Sequence, residues 1–129
     1  MASDYGMPIL VVDDFPTMVR ILRNLLKQIG FEDVDDAADG ESALEQLRAR
    51  RHGLVISDWN MLPMTGFELL GHIRADADLC ETPFIMVTAE SSTANVLAAR
   101  KAGASNYIVK PFNAATLRNK IEATCGALA

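Results

Sequence analysis

The sequence predicts a single α/β domain in which a parallel sheet is covered by helices on both faces. Short apolar runs alternate five times with segments of helical spacing, and parallel strands need crossover connections of this kind, which are right-handed. The chain has 129 residues, of which 50% are apolar, an ordinary composition for one domain with its own core. We expect residues 1–8 to form a tail and residues 9–129 to form the domain.

The clearest local pattern is the first strand and helix. An apolar run at 9–12 predicts the strand, Pro16 suits the first turn of a helix, and Gly30 ends it. Between these two residues an apolar stripe recurs at helical spacing, formed by Met18, Ile21, Leu22, Leu25, Leu26 and Ile29.

The next segment predicts a weaker strand and a second helix. Alternation over 32–38 is limited, which suits a short edge strand. Asp39-Gly40 marks the following helix start, and the helix has a modest apolar stripe. Basic residues near its end complement the helix dipole, so we expect a solvated end formed by Arg48, Arg50 and Arg51.

A buried central strand is predicted at 54–58, because a short apolar run there is bounded by a turn signal. The segment Thr65-Gly-Phe-Glu68 matches a capping box that opens the third helix. We expect three of its side chains to point inward: Phe67, Leu70 and Ile73.

The last two strand and helix pairs follow Pro83. We predict strands at 84–88 and 107–110 and a small-residue helix over 91–102 that Gly103 ends. Pro111 prevents the fifth strand from continuing, and Asn113 caps a final helix whose inward residues are Leu117 and Ile121.

Composition excludes several classes of function. A net charge of −5 and a pI of about 4.9 argue against nucleic-acid binding, which needs clustered basic residues. Cys80 and Cys125 fit no metal or redox spacing. The N-terminus lacks an apolar signal core, and no apolar run is long enough to span a bilayer. We therefore expect a cytoplasmic protein that binds neither nucleic acid nor membrane.

Polar side chains follow four of the predicted strands. Asp13 and Asp14 follow the first strand, Asp58 ends the third, Thr88 ends the fourth and Lys110 ends the fifth. Each one has an ordinary structural explanation, such as a turn, a helix start or a solvated strand end. Together they are better explained by a site, because the carboxyl ends of parallel strands share one edge of the sheet where ligands bind.

Three converging carboxylates would repel one another unless a divalent cation lay between them. Mg²⁺ fits best, because it takes one or two carboxylates and leaves positions open for a phosphoryl group. Lys110 then offers a positive charge for phosphate oxygens, and the Thr88 hydroxyl offers a donor. A carboxylate such as Asp58 is also a known type of covalent phosphoryl acceptor.

These residues resemble the receiver domains of two-component response regulators, and in particular the stand-alone chemotaxis regulators. The resemblance covers essentially the whole chain. The matching motifs are Val-Val-Asp13-Asp14-Phe-Pro-Thr-Met, Ser-Asp58-Trp-Asn-Met, Met-Val-Thr88-Ala-Glu90, Gly103-Ala-Ser and Val-Lys110-Pro-Phe-Asn-Ala-Ala-Thr-Leu. The fold this resemblance implies is flavodoxin-like, a doubly wound (βα)5 sheet with strand order 2-1-3-4-5.

The resemblance implies a role for each residue of the site. Asp58 would be phosphorylated, Asp14 and Asp58 would hold Mg²⁺ with the backbone carbonyl of Asn60, and Asp13 would act through water. Lys110 would contact the phosphate. Thr88 and Tyr107 would be the switch pair. Beyond the resemblance, strand alternation places Val109 on the same face as Tyr107, and Lys120 on the final helix is a candidate for a charged contact at the edge of the partner surface. The protein would not be an enzyme on other substrates, but would catalyse its own Mg²⁺-dependent phosphorylation and dephosphorylation.

The partners implied by the resemblance are a chemotaxis-type histidine kinase and the flagellar motor switch protein, so that phosphorylation controls swimming. A phosphatase is a further candidate partner, and we expect a monomer. The rival within the family is a non-chemotactic receiver that acts in a phosphorelay or as a phosphate sink.

Some positions depart from the family pattern. Leu62 stands where proline is common, with Pro63 one residue later, and Thr65 stands where aspartate is frequent. His52 and His72 match no family role. The loop after Asp58 is therefore where the structure and partner docking are least predictable from the resemblance.

Two other classes remain as alternatives. A flavodoxin would share the architecture, but its first loop must hold a flavin phosphate, which Asp13 and Asp14 would repel. A haloacid-dehalogenase-like phosphatase would also use an aspartate and Mg²⁺, but its Asp-x-Asp motif is absent from the first strand.

Overall fold

A computed structural model describes residues 5–89 and 92–126. Strands and helices alternate along them in the order β1 Ile9–Val12, α1 Pro16–Ile29, β2 Val34–Ala37, α2 Gly40–Ala49, β3 Leu54–Asp58, α3 Gly66–Ala75, β4 Phe84–Thr88, α4 Thr93–Ala102, β5 Asn106–Val109 and α5 Ala114–Cys125. All strands are parallel and lie in one sheet ordered β2-β1-β3-β4-β5. The predicted flavodoxin-like fold is confirmed.

The sheet is buried on both faces. On one face, α1 and α5 cover a core that includes Ile9, Val11 and Ile56. On the other face, α2, α3 and α4 cover a core that includes Leu10 and Val55. Since alternate residues of a strand point to opposite faces, strands covered twice need continuous apolar runs, as β1 and β4 have. The sequence showed these runs, whereas β2 lies at the edge, as its weaker pattern predicts.

Three predicted helix starts are confirmed by their caps. The Asp39 side chain accepts a hydrogen bond from the Ser42 amide, and the Asn113 side chain accepts one from the Thr116 amide. At α3 both halves of the capping box form between Thr65 and Glu68. Caps of this kind depend on residues three positions apart, which explains why the sequence reveals them.

The prediction that Phe67 points inward is wrong, and one residue of the apolar stripe of α1 also lies outside the core. Ile21 of α1 is 43% exposed and Phe67 of α3 is 37% exposed. Leu69 is buried on α3 instead, together with Leu70 and Ile73. A helical stripe identifies a face of the helix, but the neighbouring elements decide how much of that face is covered.

Some predicted boundaries shift slightly. Helix α4 begins at Thr93 with Ser92 as its cap, and Ser91 lies outside the described residues, as do residues 1–4 of the predicted tail. Strand β5 ends at Val109, so Lys110 follows the strand rather than ending it. The division into a tail and a domain at 9–129 stays a prediction. Within the described part of the chain, no helix is both long and apolar enough to cross a membrane.

Candidate functional site

The site is an acidic pocket at the carboxyl end of the sheet. Strand β1 pairs with β3, so Asp13, just after β1, lies beside Asp58, the last residue of β3. Carboxylate oxygens of Asp13, Asp14 and Asp58 all lie within 4.8 Å of one another. Asp13 and Asp58 are buried, whereas Asp14 is exposed. The predicted convergence of the three carboxylates is therefore present in the structure.

Only one oxygen of the Asp13 carboxylate has a hydrogen-bond partner among the described residues. Its Oδ1 accepts a hydrogen bond from the Phe15 amide at 3.0 Å, whereas its buried Oδ2 has no partner among the described residues. Burial raises the pKa of Asp13, and the charges of Asp58 and Asp14 raise it further, against the lowering effects of the Phe15 amide and Lys110. A cation placed among these oxygens would relieve this penalty, so the residues present fit a metal ion.

Lys110 is the positive side chain of the pocket. Its Nζ donates a hydrogen bond to Asp58 Oδ1 at 3.0 Å. Its backbone amide donates to the Thr88 carbonyl at 2.8 Å, which holds the residue beside the end of β4. Among the described residues, this ammonium and the three carboxylates leave the pocket with uncompensated negative charge. Oxygen ligands with surplus negative charge are what Mg²⁺ prefers in proteins.

The predicted switch residues lie on the strands next to the pocket. Thr88 is fully buried at the end of β4. Tyr107 and Val109 pair with the alternate β4 residues Met86 and Thr88, as expected for two side chains on one face. Tyr107 is 6% exposed, but Val109 is 38% exposed. Lys120 lies partly exposed on α5.

The loop after Asp58 brings α3 against the Asp58 backbone. The Gly66 amide donates to the Trp59 carbonyl at 2.9 Å, and a Cβ at Gly66 would overlap the Asp58 backbone carbonyl. Glycine is therefore required by this close approach. Asn60 is exposed in the same loop, and Leu62 is 78% exposed. Sequence reasoning recognised the cap at Thr65 but missed this contact, because nothing in the local pattern reveals it.

Sequence reasoning also missed two aromatic contacts. The Trp59 ring stacks on Phe67 with centroids 5.4 Å apart. The edge of the same indole meets Tyr107 at 6.5 Å and an interplanar angle of 76°. Trp59 follows Asp58 directly, so the ring contacts join the loop after Asp58 to β5. The related prediction from the sequence was that Phe67 points inward, and it did not identify these ring contacts.

A sequence model of the response regulator receiver domain matches residues 9–122. The chain belongs to the response regulator receiver family. The family match favours a receiver domain over a flavodoxin or a haloacid-dehalogenase-like phosphatase.

Two of the curated relatives of this receiver are named as chemotaxis proteins. It is 47% identical over 117 residues to the chemotaxis protein CheY-3 of Vibrio cholerae, covering 91% of this chain and 90% of that protein. It is also 47% identical over 116 residues to the chemotaxis protein CheY of Pseudomonas aeruginosa, covering 90% of this chain and 94% of that protein.

Solved structures share the fold closely. The chemotaxis protein CheY4 of Vibrio cholerae gives a TM-score of 0.86 at 34% identity, covering 92% of this chain and 98% of that chain. The receiver domain of a sensor histidine kinase from Pseudomonas aeruginosa gives 0.85 at 26% identity, covering 95% and 99%. That second structure is described with a magnesium ion coordinated in its active-site cleft.

Proposed function

We propose that this receiver is a phosphorylation-activated switch that accepts a phosphoryl group on Asp58 from a partner histidine kinase. The observation that carries this proposal is the joint placement of Asp13, Asp14 and Asp58 with Lys110 bonded to the acceptor at 3.0 Å. A carboxylate acceptor, a fixed ammonium and an acidic metal pocket are the parts that phosphoryl transfer needs.

The chemistry divides between the acceptor and the groups around it. The bond from phosphorus to the donor nitrogen breaks as the bond to an Asp58 carboxylate oxygen forms, and water later cleaves that acyl phosphate to restore Asp58. Lys110 and the Thr88 hydroxyl contact phosphoryl oxygens. Mg²⁺, held by Asp14, Asp58, the Asn60 backbone carbonyl and, through water, Asp13, would neutralise charge on the transferring group.

For output, we propose that the phosphorylated form binds the flagellar motor switch protein, in the cytoplasm and as a monomer. The curated relatives at 47% identity are chemotaxis proteins, which favours this target. Phosphorylation draws the Thr88 hydroxyl toward Asp58 and changes the packing of Tyr107, so that the surface bearing Val109 and Lys120 changes shape. A phosphatase is a further partner to test for.

A second role within the same family is a phosphorelay receiver or phosphate sink. The likeness to receiver domains of sensor histidine kinases, at 26% and 29% identity, is the observation that favours it. The two roles differ in whether a motor protein is bound after phosphorylation.

Acetyl phosphate tests the acceptor chemistry, because all the proposed groups lie in this chain. Incubation with acetyl phosphate and Mg²⁺ should add one phosphoryl group by mass spectrometry, and chelation of Mg²⁺ should prevent it. The Asp58→Asn variant should gain none, whereas the matched control Asp78→Asn, in an exposed loop, should react normally. A phosphoryl group on Asp58→Asn at unchanged stoichiometry would eliminate Asp58 as the acceptor.

A binding experiment separates the two roles. Beryllofluoride mimics the phosphoryl group, and with Mg²⁺ it should tighten binding to a peptide of the motor switch protein by about 5- to 150-fold, the usual range for coupling between two sites. The Thr88→Ala variant should reduce this ratio while Asp58 stays phosphorylatable. An unchanged affinity in the parent protein would favour the phosphate sink.

A further inference from the structure

Three aromatic rings form a continuous series of contacts from α3 to β5. Phe67 stacks on Trp59 at 5.4 Å with an interplanar angle of 25°, and Trp59 meets Tyr107 edge-on at 6.5 Å. Offset stacking and edge-to-face contact are the favourable arrangements for aromatic pairs. The middle ring belongs to the residue that follows Asp58, and the last ring belongs to the proposed switch residue.

The first turn of α3 holds Phe67 in place. The Thr65 Oγ1 accepts from the Glu68 amide at 3.1 Å, and the Glu68 carboxylate accepts from the Thr65 amide at 3.1 Å. The Gly66 amide then donates to the Trp59 carbonyl. The backbone that carries Phe67 is thereby tied to the backbone that carries Trp59. The Phe67 ring therefore has a defined position relative to the indole.

Core packing does not explain Phe67. Its side chain remains 37% exposed, although the neighbouring Leu69 and Leu70 are fully buried. Trp59 is itself only partly buried, whereas Tyr107 is 6% exposed. An exposed ring covering a partly exposed indole acts chiefly on the position of that indole.

We propose that Phe67 is a positioning residue of the switch. Its ring holds the Trp59 indole against Tyr107 and so favours the buried orientation of Tyr107. Loss of one aromatic pair changes an equilibrium constant by about 2- to 12-fold, so the balance between buried and exposed Tyr107 should change by that factor. The inference rests on the proposed switch role of Tyr107, and the experiment below distinguishes the two.

Fluorine NMR of the protein labelled with 3-fluorotyrosine reports on Tyr107 directly. The chain has two tyrosines, and Tyr5 contacts Phe31 elsewhere in the fold, so it serves as an internal reference. Phe67→Leu keeps an apolar side chain but removes the ring. The solvent isotope shift of the Tyr107 fluorine should show an exposed fraction increased relative to the buried one by about 2- to 12-fold, and Phe67→Tyr should restore the parent signal.

Leu62→Ala is the matched control, because Leu62 lies in the same loop and is 78% exposed. It should leave the Tyr107 resonance unchanged. An unchanged resonance in Phe67→Leu, or an equal change in Leu62→Ala, would overturn the positioning role.

Beryllofluoride with Mg²⁺ tests the switch role of Tyr107 separately from the positioning role of Phe67. A moved Tyr107 resonance in the parent supports the proposed switch, whatever Phe67→Leu does. If the parent resonance does not respond while Phe67→Leu still shifts it, the switch role of Tyr107 is overturned and the influence of Phe67 on Tyr107 stands.

Discussion

The two ends of the sheet both gather charged side chains, but they balance that charge differently. At the carboxyl end, Asp13, Asp14 and Asp58 lie together, and the ammonium of Lys110 is bonded to Asp58. Asp13 Oδ2 is buried there without a partner among the described residues. A fold gains no stability from such an arrangement, because buried, unpaired charge is costly.

At the amino end, acids and bases are paired. The guanidinium of Arg50 lies 2.6 Å from Asp33 and 3.5 Å from Asp35. The buried imidazole of His52 lies 2.8 Å from the same Asp35 carboxylate, although its Nδ1, like Asp13 Oδ2, has no partner among the described residues. The contact with Asp35 gives His52, which matches no family role, a structural one.

The predicted solvated basic end of α2 is confirmed, because Arg48, Arg50 and Arg51 are all exposed. The ion pairs of Arg48 and Arg50 are an addition to that prediction.

The difference in charge balance favours the carboxyl-end cluster as the proposed functional site. A groove of about 1000 Å³ lies at the amino end, between segments 47–53 and 77–83, but the charges of Arg48 and Arg50 beside it are already paired with carboxylates. Perturbed, unbalanced groups mark sites that need a ligand, whereas balanced groups stabilise the fold. The charge balance therefore favours the carboxyl end as the proposed chemical site.

The largest expected effect is the loss of Mg²⁺ binding in Asp14→Ala. Trp59 is the only tryptophan and follows Asp58 directly, so its fluorescence should change as Mg²⁺ binds to the parent. Asp14→Ala should weaken the apparent affinity by about 10-fold or more, since changes even to groups that only support metal ligands cost 10- to 100-fold. Asp33→Ala, at the amino end, should titrate like the parent. A parent-like titration of Asp14→Ala would show that the metal site is wrong.

The second effect concerns stability at the amino end. Asp35→Ala removes the partner of His52, whose side chain is 0% exposed. A buried polar group without a partner costs about 1 to 3 kcal/mol, so the free energy of unfolding in urea should fall by that amount. Acetyl phosphate should still phosphorylate this variant fully. Loss of phosphorylation at retained stability would mean that the two ends are not separate in function.

The third effect concerns the carboxyl end, where we expect a substitution to raise the free energy of unfolding rather than lower it. Because the pKa of Asp13 is raised in the folded state above its ordinary value of 3.8, the folded protein holds this proton more readily than the unfolded chain. Stability therefore falls as pH rises from 3.8 through the raised pKa and stays lower above it. With Mg²⁺ chelated, Asp13→Asn should be more stable at neutral pH by about 1 to 2 kcal/mol.

Urea unfolding of the parent and Asp13→Asn at several pH values, in a chelating buffer, measures that difference. The difference in stability between the parent and Asp13→Asn should disappear at acid pH, where Asp13 is protonated in both the folded and the unfolded parent. A variant that is less stable at neutral pH would contradict the view that this end is electrostatically strained.

The smallest effect is expected at an exposed pair of the amino end. Arg48 lies 3.7 Å from Asp76, and its side chain is 59% exposed. Exposed pairs contribute little because water screens them, so Arg48→Ala should change the free energy of unfolding by less than about 0.5 kcal/mol. A larger loss would show that the pairs at this end act as one network, which the double variant with Asp35→Ala would measure.

The sequence by itself determined the features that depend on residues close together in the chain. Strands covered on both faces must be continuously apolar, so the runs at 9–12 and 84–88 identified buried strands. Caps at Asp39, Thr65 and Asn113 need partners only three residues away. Because parallel strands end at one edge, polar residues after several strands also predicted where the carboxylates converge.

Tertiary structure alone decided the contacts between distant residues. Lys110 bonds to Asp58 across 52 positions, and His52 meets Asp35 across 17. The exposure of Ile21 and Phe67, and the approach of Gly66 to the Asp58 carbonyl, likewise depend on how the helices pack on the sheet. Periodicity defines which side of an element is apolar, but distances between elements follow from packing of the whole chain, which no local pattern contains.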